Sequence, residues 1–428
     1  MRSWLRVFLV VVLAAGALAV PALDPPQPAP AAAVDAPAMA VCAFEEGSGR
    51  SSIIGVVSTV DGAGVLTAFA AGSAVGSLDF ETGESGAWSV PVADVAAVGV
   101  GGALLEFPAA SSATASVVVG ADSLSIDTCP AEAGGELILG GGSTLSDQRF
   151  EVQLMNPYAG QAILNLTVQS DGGLESNTAL DSVIVPARST VLVDLAEILP
   201  GREWMTVAIA VEIGGVLAGG RFGIGTDNAI WDAVAPAQEW FIPVSHGLES
   251  RQVVVAAGEA EVEYQVDFYG PEGLVEGFET GVIPGRGQAV VDIGGVTPIA
   301  SAIRVVTTGP VGAFLRVTSE TGVAMTSGST TPASGLLLPG AGSVPGGSGW
   351  ITLFNPGLED VGAEVTTLRS VSETVAVSVP AGGVVEVATA PDPALGYTIE
   401  GDGVLVASWS ASIGGSIGVA SACPIIDE

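Results

Sequence analysis

The chain is 428 residues long and carries 12 basic residues, all of them arginine, against 46 acidic ones, a formal net charge of −34. No basic surface is available to neutralise phosphates, which excludes nucleic acid and anionic membrane surfaces as partners. The acids are scattered instead of clustered, as expected of charge that keeps an apolar-rich protein soluble; a surface meeting cations or a basic partner is the alternative.

Arg2 and Arg6 precede an apolar run from Val7 to Val20, and Ala17-Leu18-Ala19 offers a small-x-small cleavage site. Residues 1–20 read as a signal peptide or, uncleaved, as a membrane anchor, and everything after them is exported. Residues 21–40 are almost wholly Pro and Ala, a composition that builds no core and favours an extended linker.

Beyond the linker the chain repeats itself. Leu154-Met155-Asn156-Pro157 returns as Phe268-Tyr269-Gly270-Pro271 and as Leu353-Phe354-Asn355-Pro356. A second landmark follows each: Val185-Pro186-Ala187, Ile283-Pro284-Gly285 and Val379-Pro380-Ala381. Between them lie short alternating runs such as Ile163 to Val168, the period-2 pattern of half-buried strands. Gly214-Gly215, Thr308-Gly309-Pro310 and Glu400 to Gly403 read as hairpin turns between such runs. Leu195 to Leu199, stopped by Pro200, is the one helical turn.

Cys129-Pro130-Ala131, Ala235-Pro236-Ala237 and Thr331-Pro332-Ala333 each precede a short apolar strand and a Gly-rich turn, and Cys423-Pro424 closes the chain. The junctions divide the chain into 41–130, which lacks both landmarks, then 131–235, 236–332 and 333–428. Repeats of about a hundred residues are whole small domains. Many short strands with Gly/Pro turns make the fold all-β, as tandem immunoglobulin-like β-sandwiches behind the N-terminal segment. Junctions this short suggest a semi-rigid rod.

Three cysteines in an exported chain predict one disulfide and one leftover thiol. Cys42 and Cys129 lie on the first and last apparent strands of the first domain and form the expected pair, with Cys423 unpaired; Cys42–Cys423 is the alternative.

The search for chemistry points away from catalysis. Gly414-Gly415-Ser416-Ile417-Gly418 spells a nucleophile elbow, but that motif needs a strand-to-helix turn and a downstream His. His246, the only histidine, sits in a predicted turn and cannot build a multi-histidine metal site. Asp94, Asp194 and Asp292 recur after valine-rich strands, with Ala388 in the last repeat, a pattern of turn or cap hydrogen bonding. Asp227-Asn228 with Asp232, and Asp402, do not form a recognisable calcium loop. Asn165-Leu166-Thr167 fits a glycosylation sequon. Trp88, Trp204, Trp231, Trp240, Trp350 and Trp409 are spread over four domains, a distribution that fits burial better than a sugar-stacking platform.

The N-terminal segment, the Pro/Ala linker and repeats with Asn-Pro and Val-Pro-Ala landmarks together resemble a family of actinobacterial exported or membrane-anchored proteins of unknown function. The resemblance implies an envelope location and no activity, catalytic residue or cofactor. The expectation is a non-catalytic scaffold, spacer or adhesion module, with cell-envelope proteins or glycans as partners and the membrane touched only through residues 1–20. Its rival is a glycan-binding protein of the cell surface.

Overall fold

The computed structural model describes residues 38–425, leaving out short stretches at 48, 60–61, 71–72, 84–85, 97–98, 108–111, 121–122, 129–132, 249, 272, 295–299, 319–321, 341–343, 345–347, 370, 390–395 and 415. The signal segment, most of the linker and Cys129 lie outside the described residues. Ala38 to Ala40, which composition assigns to the linker, already belong to the first strand.

The first strand set is β1 (Ala38–Glu46), β2 (Arg50–Ser58), β3 (Ala63–Ala70), β4 (Ser73–Glu81), β5 (Ala87–Pro91), β6 (Gly99–Phe107), β7 (Ser112–Gly120) and β8 (Leu124–Thr128). The second is β9 (Glu136–Gly142), β10 (Gln148–Asn156), β11 (Ala162–Ser170), β12 (Gly173–Glu175), β13 (Val183–Val185), β14 (Ser189–Asp194), helix α1 (Leu195–Ile198), β15 (Met205–Ile213), β16 (Leu217–Ile224) and β17 (Asp227–Asp232). The third is β18 (Ala237–Val244), β19 (Ser250–Ala257), β20 (Val262–Gly270), β21 (Gly273–Ile283), β22 (Gln288–Asp292), β23 (Ser301–Thr318) and β24 (Val323–Ser327). The fourth is β25 (Ala333–Pro339), β26 (Ser348–Phe354), β27 (Val361–Leu368), β28 (Glu373–Val379), β29 (Val384–Ala388), β30 (Gly396–Ile413), β31 (Ser416–Ser421) and β32 (Cys423–Pro424).

Each set is a β-sandwich with the same strand order. The first layer runs β1-β6-β3-β4 and returns as β9-β15-β11-β12; the second runs β5-β2-β7-β8 and returns as β14-β10-β16-β17. In the third and fourth sandwiches β23 and β30 run through both layers and join them. Period-2 patterning holds the layers together: on β11, Ala162, Leu164, Leu166 and Val168 point into the core and alternate with half-exposed residues.

The predicted hairpins at Gly214-Gly215, Thr308 to Pro310 and Glu400 to Gly403 are corners instead. β15 and β16 pair with different sheets, and β23 and β30 continue unbroken through the equivalent point. Gly214 does adopt positive φ (77°), but the bend carries the chain from one layer to the other.

The landmarks prove to be two halves of one clasp. The Asn156 amide donates to the carbonyls of Gly160 (2.7 Å) and Val185 (3.1 Å), while its Oδ1 accepts from Tyr158 N (2.9 Å). Asn355 repeats this with Glu359 O (2.7 Å), Val379 O (3.1 Å) and Gly357 N (2.8 Å). Each buried Asn thus ties the end of the second strand to the residue before the landmark proline, just past the edge strands β13 and β28. Gly270-Pro271 is not the counterpart, because it follows β20, the third strand of its sandwich. The equivalent position is Ala257, whose N–H donates to Gly287 O (2.9 Å) as that of Asn355 does to Gly383 O (3.1 Å).

The sandwiches do not form a rod. The first layer of each packs against the second layer of the next: Val41, Phe69 and Leu104 meet Met155 and Leu217. Val254, Ala256 and Phe314 of the third sandwich join the core of the second. Phe241, Ala300 and Ala302 meet Phe354, Val384 and Val406. The series then closes, since Leu337 and Leu368 of the fourth sandwich pack on Val57, Ala87 and Ala113 of the first. The last strands β8, β17, β24 and β31 touch one another in a circle, each contacting its two neighbours. Ile230 N donates to Ser125 Oγ (2.7 Å), Val323 N to Asp227 Oδ2 (2.8 Å), and Ser421 Oγ to Ser327 O (2.6 Å), while between β31 and β8 a Cβ on Gly418 would lie 2.5 Å from Ile126. Residues 38–425 are thus a closed ring of four sandwiches.

Replacing Asn355 by Ala removes three hydrogen bonds and leaves two carbonyls without their donor. It is expected to cost about 2–3 kcal/mol in chemical denaturation.

Candidate functional site

The seam between the first two sandwiches gathers the charge. On β10, Glu151 lies between Asp194 of β14 and Arg221 of β16, while its neighbour Phe150 faces Phe222. The pleat sends the two phenylalanines into the core and the ionic row toward the first sandwich. Arg221 donates through Nη1 to Glu151 (2.7 Å) and through Nη2 to Glu45 of β1 (2.6 Å), with its side chain only 8% exposed. Glu45 also accepts from Asn228 Nδ2 (2.9 Å) and from Arg50 Nη1 (2.8 Å). Arg149 Nη2 reaches both Glu151 and Asp194 at 2.7 Å.

Three arginines and their carboxylates line an open cleft of about 590 Å³, together with Asp147, Gln148 and Asn228. Burial pushes the Glu151 carboxyl above its ordinary range, against the pull of Arg221 and Arg149. Burial likewise raises Asp227, against hydrogen bonds from Ser123 and Val323 N. Each guanidinium in the cleft is matched by a carboxylate, so the arrangement couples two sandwiches and offers a polar, mixed-charge surface.

The seam between the third and fourth sandwiches uses different chemistry. His246 does sit in a turn, yet it is tied to the fourth sandwich: its N–H donates to Glu386 Oε1 (2.8 Å), and its Nδ1 lies 2.5 Å from Glu386 Oε2. Its ring meets Trp350 edge-on at 4.5 Å. Beside it, Ser245 Oγ bonds Thr352 Oγ1 (2.8 Å) and accepts from Ser410 Oγ (2.7 Å).

Each seam has a residue near the end of the first strand of a sandwich: Glu45, Gly140, Ser245 and Gly340. Glu45 pairs with Arg221, and Ser245 with Thr352. A Cβ on Gly140 would touch Ala256 at 3.0 Å, and the backbone of Gly340 sits where a Cβ on Gly55 would be 2.9 Å away. Gly140 to Gly142, predicted as a turn, are buried strand residues at a seam.

The remaining candidates have local roles. Ser416 opens β31 directly after β30 and its side chain is buried, so Gly414 to Gly418 joins strand to strand and lacks the helix of an elbow. Asp194 caps α1 by accepting from Ala196 N (2.9 Å) and Glu197 N (3.2 Å), and Asp292 accepts from Gly294 N (2.8 Å). Asp94 sits in a 3₁₀ turn and makes no such cap. Asp402 accepts from Gly362 N (2.8 Å). Asn165 donates to Glu212 Oε1 (2.7 Å). Among the described residues no group of three or more His, Cys, Asp or Glu could hold a metal ion. Trp231, Trp240 and Trp409 are buried, and Trp88, Trp204 and Trp350 half-buried. Cys42 is buried and disulfide-bonded, Cys129 lies outside the described residues, and Cys423 is a free, half-buried thiol. Burial and the nearby Asp127 push that thiol up to about 12, which keeps it protonated and a poor nucleophile.

Residues 106–219 match a family described as a family of unknown function, DUF5719. The match begins at the end of β6 and covers most of the second sandwich. No curated protein matches the chain. Among solved structures, a tetra-tandem repeat from the extending region of a large adhesion protein is similar at 12% identity, covering 91% of this chain and 100% of that one, with a TM-score of 0.11. The Streptomyces avermitilis α-L-rhamnosidase complexed with L-rhamnose is similar at 11% identity, over 86% of this chain and 53% of that one, with a TM-score of 0.14. Superpositions this loose carry neither architecture nor function across.

Arg221→Met would strand Glu45 and Glu151 in a buried seam, and a loss of about 3–5 kcal/mol is expected in urea unfolding. Adding Glu151→Gln should restore part of it. Peptide mapping without reduction should link Cys42 to Cys129 and find Cys423 alkylated only after denaturation.

Proposed function

We propose that this protein is a non-catalytic component of the cell envelope, exported behind residues 1–20, that works as a scaffold or adhesion module, of the kind its resemblance to actinobacterial exported proteins implies. The observation that carries the reading is which surfaces the ring leaves free. Every sandwich commits one layer face to each neighbour, and the strands left at the rim carry exposed apolar side chains. These include Val75 on β4, Leu174 on β12, Ile184 on β13, Val282 on β21 and Val375 on β28. Open sheet edges of this kind support association through added strands.

Closure favours scaffold over spacer, because the first and last sandwiches touch and the chain gains little reach. The glycan reading is less well supported: among the described residues Tyr158 is the one exposed aromatic in β-sandwich surroundings, at 40%, so a sugar would have to use the polar cleft without stacking.

Fractionation of the native host with in-cell photo-crosslinking from position 375 tests the proposal. The expected result is recovery in the envelope or medium with crosslinks to envelope proteins. Recovery in the cytosol would overturn the location. Crosslinks lost only when soluble glycan competes would move the function to sugar binding.

A further inference from the structure

At the centre of the ring two acids meet from different sandwiches. Asp127 on β8 is 5% exposed and its Oδ1 is buried without a hydrogen-bond partner. Ser123 Oγ donates to Asn228 Oδ1 (3.3 Å) and Ser125 Oγ accepts from Ile230 N (2.7 Å), so β8 and β17 run side by side in a register that sets Asp127 against the half-buried Asp232 at the end of β17. Two carboxylates only accept, so a hydrogen bond between them requires one proton held in common. Cys423 of the fourth sandwich lies near both acids. Three of the four sandwiches therefore converge on this point. Asp232 also borders a cavity of about 20 Å³, with Gln153, Met155, Val41 and Ile230 in its wall. That is the space of a single water molecule.

The surrounding elements bring no cation to the pair. β7, β24, β25 and β31 contain no charged residue at all. β1 brings Glu45 and Glu46, β17 brings Asp227 at its far end, and β32 brings the Cys423 thiol. β16 brings Arg221, which is committed to Glu45 and Glu151.

We propose that Asp127 and Asp232 form a proton-dependent clasp: the shared proton closes the first two sandwiches around the ring's centre, and its loss loosens that seam. With one carboxyl protonated, the pair is a single hydrogen-bonded anion; with both ionised, two like charges face each other in a buried site. Burial raises both carboxyls well above their usual range, so the folded protein holds this proton more tightly than the unfolded chain. The sign follows from linkage. The contribution is present in full below the ordinary carboxyl range and is lost as pH rises through the folded pair's own pKa. An exported protein would thus have a tighter ring in acid surroundings and a looser one as the medium becomes neutral or alkaline.

The whole negative chain also repels itself more as pH rises, so the test must separate the two effects. Hydrogen exchange of β8 and β17, corrected for intrinsic rates, is followed from pH 5 to pH 8 in wild type, Asp232→Asn and Asp127→Asn. Wild type should lose protection in these strands by about tenfold or more, the factor that follows when the closed seam holds the proton about tenfold more tightly than the open one. Asp232→Asn supplies a permanent donor in place of the proton and should keep its protection across the range. Parallel loss in wild type and in Asp232→Asn would overturn the clasp and leave general charge repulsion as the cause. If Asp127→Asn fails to fold, Asp232→Asn still decides the matter, and a carboxyl-carbon NMR titration of Asp127 in the wild type checks it independently: a pKa in the ordinary range would also overturn the proposal.

Discussion

The stacking of each sandwich's first layer on the next one's second layer governs the rest of this structure. A sandwich already has a core between its own layers, so a second apolar face on each layer would be an aggregation hazard in a lone domain. Here those faces are consumed in sequence, and the last one is consumed by the first sandwich. Val117, Leu124 and Ile126 of the first sandwich belong to the fourth sandwich's core, just as Val254 and Phe314 of the third belong to that of the second. Cooperativity therefore passes around most of the ring: the cores of the second, third and fourth sandwiches each take in residues of the next, while the first keeps a core of its own and meets the second through a separate apolar cluster.

Within that common geometry the seams differ in chemistry. An ion-pair row joins the first two sandwiches, hydroxyls and His246 the last two, and the other two seams bring glycine backbones against their neighbours. A carboxylate at Gly340 would meet Val117 and Ala115 of the first sandwich, where no guanidinium waits to receive it. A chain of four similar units has several wrong ways to pair its faces. Chemical differences between the seams disfavour those alternatives, as buried polar groups do when they fix register in other repetitive folds.

The strands and the corner glycines are legible in the sequence because they are local. Period-2 patterning and positive-φ positions depend only on neighbouring residues. The landmark Asn is visible as a repeat, but its partner carbonyls lie 24 and 29 residues away, so its role as a clasp is not. Aligning Gly270-Pro271 with Asn156-Pro157 fails because a short motif does not say which strand it ends. The rod expectation fails for a related reason: short junctions limit the reach between successive sandwiches but say nothing of the angle at which they meet. Gly140 to Gly142 look like a turn in sequence, because glycine is read through its backbone freedom. Here the absence of a side chain matters more, letting Ala256 and Phe314 approach. His246 reads in sequence only as a turn residue, because its partner, Glu386, lies 140 residues away.

The join between the fourth and first sandwiches has a consequence in time. The first sandwich leaves the ribosome long before the fourth exists, with Val57, Ala113, Val117 and Ile126 still uncovered. No three of the sandwiches close the ring, so this surface stays open until the fourth is made. The segment that finally covers it includes Cys423 and Ile425, at the extreme end of the described chain. Closure thus waits on the fourth sandwich, and a chain halted before it would leave those apolar side chains of the first exposed.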